Sequence, residues 1–434
     1  IGSPGLGWMT GWVYLACSVI SLAAVALAPQ ATLPQIAPWF QLVGDGSASV
    51  DRTRNAVLLG CALIGLTTAV NAAGVRLLAR INNIGVFVEL VGVLLLIVLL
   101  LCRARRGPEV LLETQGRSGS SQLGWLGPFL AAAVMPSYVM YGFDTAGTLA
   151  EETRDPRRRA PWAILRALAA AGLAGGLLIF AGLLALADPT ATAPGSITGG
   201  LPSIVKESLG ARLGNVFLCA VIFAVTVCAL AVQAGTVRLI FAMARDNCLP
   251  FARTLALVPH ATRTPIVPAV VTGAAAAIIL LLSVNLPRII EVLCSVAIIW
   301  ANLAYLMVST PLLLMRLRGW PRSLRTEGEP GAGSDAGRIF SLGRWGPGLN
   351  VVSVVWGLFM IVNMSWPRPE IYGTDPWGRF AAVLATALLI GLGALYYLAV
   401  PRGRTGILAD HAAAADPVTE PGPPAAPLRP VPVD

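Results

Sequence analysis

One carboxylate stands inside an apolar run. Asp144 lies in PFLAAAVMPSYVMYGFDTAGTLAEETRDPRRRAP, which runs from Pro128 to Pro161. Pro136 removes a helix hydrogen bond, and Gly142 weakens the helix two residues before the acid. Thr145 adds a hydroxyl beside it. A break next to an acid suits solute or ion binding, because unwound backbone offers free N–H and C=O groups. The plainer alternative is a kink whose acid pairs with a neighbouring helix. Tyr138 and Tyr141 lie three apart, on one helix face before the break. They can floor a solute pocket, offer a π face to a cation, or simply pack.

Other polar groups at similar depth are Ser18, Ser21, Asn71, Glu89, Thr226, Gln233, Thr236, Trp300 and Asn302. Hydroxyls in apolar helices often bond their own backbone or a neighbouring helix. Glu89, eight residues into its run, needs a partner or a proton and is a candidate for coupling or gating. Glu291 lies close enough to a run's end to be solvated. Glu151, Glu152, Asp155 and Arg157 to Arg159 follow the fourth run. They read as an ion-paired loop or part of an inner gate.

The elements that hold these residues follow from composition. In 434 residues only 12% are charged and 56% are hydrophobic, with a mean hydropathy of +0.73. Too few charges exist to cover a soluble protein of this size, so lipid is the expected solvent and a partner. Ten runs can cross a bilayer: roughly 8–28, 56–75, 81–102, 128–150, 167–187, 213–237, 266–287, 289–315, 349–367 and 380–400. They must be helices, since an open strand leaves backbone groups unpaired in lipid. The fold class is therefore all-α and polytopic.

The net charge of +9 comes from 30 Arg and the single Lys206. These fall in gaps between runs, which speaks for topology rather than nucleic-acid binding. Loops on one side hold nineteen of them and the alternate loops eleven. The positive-inside rule puts the richer side and both termini in the cytoplasm, with Arg103, Arg105 and Arg106 as a dissenting outer cluster. Arg-rich usage points to a GC-rich genome and a bacterial inner membrane. Residues 319–348 read as a Gly- and Arg-rich linker, and 401–434 as a disordered cytoplasmic tail.

Several function classes drop out. The two histidines, His260 and His411, lie outside the apolar runs, so a haem or di-metal membrane enzyme lacks its nitrogen ligands. The seven cysteines form no CxxC and read as buried hydrophobes. No GxxxxGK[ST], GxSxG or HExxH occurs, and neither a cofactor nor a metal is implied.

GFDTAGTLAEETRDPRRRAPWAI (142–164) resembles the sixth-helix signature of permeases of the amino acid–polyamine–organocation superfamily. The amino acid/choline branch, with its GABA- and choline-permease-like proteins, is the nearest match. GWMTGWVYLACSVISLAA (7–24) resembles the third helix, and NAAGVRLLARINNIGVFVELVG (71–92) the junction of the fourth and fifth. TVRLIFAMARDNCLP (236–250) resembles the end of the eighth. The resemblance implies two five-helix inverted repeats followed by two helices, with this chain holding helices three to twelve within 1–400. A missing first pair would preserve parity, and the start at Ile1 without Met fits that expectation. It also implies secondary transport of an amino acid or amine by alternating access, driven by a coupled proton or an exchanged solute. Tyr138, Tyr141, Gly142, Phe143, Asp144 and Thr145 would line and gate the substrate path, with Ser18 and Ser21 approaching from the third helix. Arg238 and Arg245 match structural positions near the cytoplasmic end. In the family a broken first helix binds the substrate carboxylate. Its absence here supports an alternative expectation: a non-transporting fragment or membrane scaffold.

Overall fold

The computed structural model describes residues 3–113, 124–148, 153, 155–187, 200–259, 262, 264–285, 288–319, 340, 342–373 and 378–400. Glu151, Glu152, Arg154, His260, His411 and the expected tail 401–434 lie outside these, as does most of the 319–348 linker. Fifteen α-helices occur among the described residues. The first eight are α1 (Pro4–Ala26), α2 (Pro29–Ile36), α3 (Ser49–Ala73), α4 (Val75–Cys102), α5 (Leu126–Ala132), α6 (Val134–Val139), α7 (Thr145–Thr148) and α8 (Pro156–Ala185). Then come α9 (Leu201–Arg245), α10 (Ala252–Leu255), α11 (Ile266–Leu282), α12 (Ile289–Leu317), α13 (Gly346–Ser365), α14 (Pro369–Tyr372) and α15 (Ala381–Ala399).

Proline and glycine punctuate the chain. The Ser3 hydroxyl caps α1 by accepting from Leu6 N–H at 3.3 Å, with Pro4 next in line. Gly74 separates α3 from α4 at a φ of +129°, a region closed to most side chains. Gly210 interrupts α9 with φ +78° and ψ 166°, setting a short outer piece apart from the long span.

Among the described residues, eight helical stretches are long and apolar enough to cross a membrane, and two shorter apolar ones cover 126–139 and 266–282. Among the expected runs, the fourth is the irregular one. It is divided into α5, α6 and α7 with a turn at 140–144. Elsewhere the outward faces carry Leu94, Leu173, Val352 and Leu388, each more than 60% exposed, which is the surface that lipid requires.

The core is built around α12, where ten consecutive residues, 292–301, are buried. α1 packs beside it through Val13, Cys17, Leu22 and Ala23, and the Cys17 thiol donates to the Ala297 carbonyl at 3.2 Å. Two indoles join helices, Trp300 Nε1 donating to Thr386 Oγ1 and Trp12 Nε1 to the Leu389 carbonyl, and Trp8 Nε1 ties α1 to the loop after α9 at the Cys248 carbonyl. The dissenting arginines have structural uses. Arg105 pairs with Glu207 at 3.2 Å, Arg106 pairs with Glu113, and both backbone N–H groups donate to the Leu184 carbonyl.

Small residues let helices approach closely where lipid gives no hydrophobic drive. A Cβ at Gly60 would lie 2.9 Å from the Ala26 carbonyl oxygen and 2.9 Å from Leu280 Cδ1. Gly65, on the same helix, faces open space. Gly60→Val should therefore lower stability by about 1–3 kcal/mol through overpacking. Thermal unfolding in detergent checks this, with Gly65→Ala expected to remain near wild type.

Candidate functional site

The irregular stretch after α6 begins where Pro136 and Gly142 weaken helical bonding. Tyr141 N–H donates to the Tyr138 carbonyl at 3.1 Å, Thr145 N–H to Gly142 at 3.1 Å, and Gly147 N–H to Asp144 at 2.7 Å. These are three-residue closures, tighter than the four-residue closure of an α-helix. Gly142 has φ +89°, where a side chain would be strained. The Thr145 hydroxyl also donates to the Gly142 carbonyl at 2.7 Å, so it serves the turn itself.

Asp144 is held from two sides. The Tyr14 hydroxyl on α1 donates to Oδ2 at 2.7 Å, and the Tyr305 hydroxyl on α12 donates to Oδ1 at 2.9 Å. Both carboxyl oxygens are engaged, and the acid joins the broken segment to the two central helices. Aromatic rings surround the clasp: Phe143 lies 5.5 Å and Tyr141 6.4 Å from the Tyr305 ring, centroid to centroid. The two hydroxyls satisfy one position on each carboxyl oxygen. A protonated Asp144 would carry its own donor, and one tyrosine would have to turn.

The remaining expected residues are placed unevenly. The Tyr138 hydroxyl donates to the Ser21 carbonyl at 2.8 Å, fixing α6 against α1. The buried Ser21 hydroxyl has no hydrogen-bond partner among the described residues. The Ser18 hydroxyl turns back to the Tyr14 carbonyl at 2.9 Å, one helical turn away. Glu89 is exposed on α4, outside the group around Asp144. Tyr14 and Tyr305 escaped sequence reasoning. The available signal was that a tyrosine hydroxyl in a charge-free run needs a polar partner.

Gln233, fully buried on α9, donates to Thr68 Oγ1 at 2.8 Å and to the Ala269 carbonyl at 3.2 Å. Its carbonyl oxygen accepts from Asn71 at 3.4 Å. This network ties α3, α9 and α11 together. Beside it, Gly235 comes close to Thr145: a Cβ at Gly235 would lie 3.7 Å from Thr145 Cγ2. The polar groups outside the clasp thus stiffen the wall that faces the break.

The amino acid permease family model matches residues 2–392. The chain belongs to that family. It is 24% identical over 409 residues to an uncharacterized amino-acid permease of Schizosaccharomyces pombe, covering 92% of this chain and 69% of that protein. It is 26% identical to a low-affinity putrescine importer of Escherichia coli, covering 65% of this chain and 58% of that one. A GABA-specific permease of Saccharomyces cerevisiae is also 26% identical, over 63% of this chain and 45% of its own length. The chain therefore spans about half to two thirds of the length of these curated relatives. The family and these relatives are permeases rather than enzymes, and nothing among them favours the scaffold alternative.

The clasp makes a thermodynamic prediction. Tyr14→Phe and Tyr305→Phe each remove one donor to Asp144 and should destabilise the chain by about 0.5–2 kcal/mol. Combined with Asp144→Asn, either change should be markedly non-additive in unfolding measurements, because both act on one contact. Strict additivity would mean that the three side chains do not interact.

Proposed function

We propose that this permease is a secondary transporter of amino acids or related amines and that Asp144 couples a proton to the movement. The carrying observation is the double tyrosine clasp on an acid at a helix break. The ionised acid holds the broken segment to α1 and α12 through two donors. Protonation removes one acceptor position and supplies a donor, so the clasp must rewire. A state with a different arrangement of the break then becomes accessible, as alternating access needs. Tyr138, Tyr141, Gly142, Phe143 and Thr145 line the solute's path around the break. Ser18 and Ser21 line it from α1. The aromatic faces and the carboxylate favour an ammonium group.

Reconstituted protein should accumulate radiolabelled amino acids or amines in liposomes when an inward proton gradient is imposed. Asp144→Asn should abolish the response to the gradient while exchange of internal and external solute persists. Wild-type uptake that ignores the gradient would remove proton coupling from the mechanism. Glu89→Gln tests the other intramembrane acid separately, and loss of the response there would move coupling to α4.

We also propose that both termini face the cytoplasm of a cell membrane. The basis is the larger share of arginine on the loops at that end. Ser47 lies on the opposite end and Arg253 on the arginine-rich end, and both are exposed. In intact cells, with Cys102 replaced by Ser, an impermeant maleimide should label Ser47→Cys and spare Arg253→Cys. The reverse pattern would invert the topology.

A further inference from the structure

At the end of the bundle away from α1's first residue and α15's last, the helices border a half-open chamber of about 970 Å3. Its walls are α2, the start of α3, the loop at 41–46, the outer piece of α9 before Gly210, and the first turn of α12. The walls are fixed by internal bonds. Lys206 Nζ donates to the Gln35 carbonyl at 2.5 Å, joining the α9 piece to α2. The fully buried Asn55 donates to Gln30 Oε1 at 2.6 Å and to the Phe40 carbonyl at 3.1 Å, and accepts from Leu42 N–H at 2.7 Å.

Five charged residues line this chamber: Arg52, Lys206 and Arg288 against Asp45 and Glu291. Lys206 is the single lysine of a chain that is only 12% charged, so both signs meeting in one cavity is unusual for this sequence. Arg52 uses Nη1 for the Gly46 and Ser47 carbonyls, at 3.0 Å each. A guanidinium has five N–H donors, so further ones remain for a ligand. Asp45 is taken up by Ser47, whose N–H and hydroxyl donate to Oδ1 at 2.8 and 2.5 Å. Glu291 makes no hydrogen bond or ion pair among the described residues, which leaves both its oxygens to a ligand, against Oδ2 alone on Asp45.

We infer that this chamber is a reception site for zwitterionic solutes, with the carboxylate toward Arg52 and Lys206 and the ammonium toward Glu291. It is separate from the Asp144 clasp. Glu291 and Tyr305 are fourteen residues apart on α12, about 21 Å at ~1.5 Å per residue, too far for one small solute to reach both. The chamber lies near the top of the usual range for small-molecule pockets, about 300–1,000 Å3, so a single amino acid sits there among bridging waters and binds weakly. Its place on the solute's route rests on the transport reading above, whereas binding itself does not.

Saturation-transfer NMR on the purified full chain in detergent tests this with L-alanine and with putrescine, which lacks a carboxylate. Wild type should bind L-alanine. Lys206→Gln should weaken L-alanine by about two- to fivefold, the loss of one hydrated charge contact, and leave putrescine unchanged. Lys206→Arg should restore it. Glu291→Gln should weaken both probes. Equal L-alanine binding by wild type, Lys206→Gln and Glu291→Gln would overturn the inference. If wild type shows these binding differences yet takes up no solute in liposomes, the transport reading fails and the chamber stands.

Discussion

A lipid layer offers no hydrogen bonds, so polar groups at that depth must find partners within the protein. That constraint explains the helical architecture and most of the polar contacts inside it. Thr226, Thr236, Thr272 and Thr386 each donate to the carbonyl four residues earlier. Asn302 does the same with Ile298. Gln233 and Asn71, with amides too polar to leave unpaired, bond across α3, α9 and α11. Asp144 needs the most and receives two hydroxyls. The irregular backbone at 140–144 is tolerated for the same reason, because its side chains meet α1 and α12 rather than hydrocarbon.

The helices around the break divide into stiff and yielding parts. α12 is surrounded by protein over 292–301 and is fastened to α1 at Cys17 and to α15 at Trp300. Such a helix cannot change its contacts singly, since interiors are close-packed and shift between discrete arrangements. The α6–α7 segment is different. Short helical pieces and tight closures join it to its surroundings through a few side-chain bonds.

Much of this was legible from residue type and spacing. Pro136 and Gly142 marked the break, Asp144 marked the costly group, and the apolar runs marked the helices. Azimuth was not legible. A run without charges shows depth in the membrane but hides which side of the helix meets protein, because all sides are apolar. Tyr14 and Tyr305 therefore could not be matched to Asp144 across 130 and 161 residues of sequence. Type and depth likewise did not show that the Ser18 hydroxyl bonds its own helix or that Glu89 is exposed. The charged chamber was hidden for a related reason: its lining is drawn from five separated segments, each an ordinary loop or helix end.

Two of the hydrogen bonds that attach the broken segment to α1 differ in kind. Tyr138 bonds the Ser21 carbonyl, and Asp144 bonds the Tyr14 hydroxyl. Ser21 and Tyr14 are seven residues apart, about 10 Å along α1. A carbonyl acceptor does not titrate, so the Tyr138 attachment is indifferent to protons. The Asp144 attachment is not, because its acceptor becomes a donor on protonation. Between them lies Gly142, in a conformation that a residue with a side chain would strain to hold. Under the proton coupling proposed above, the Asp144 bond would reverse its direction while the Tyr138 bond stays as it is, and Gly142 lies between the two.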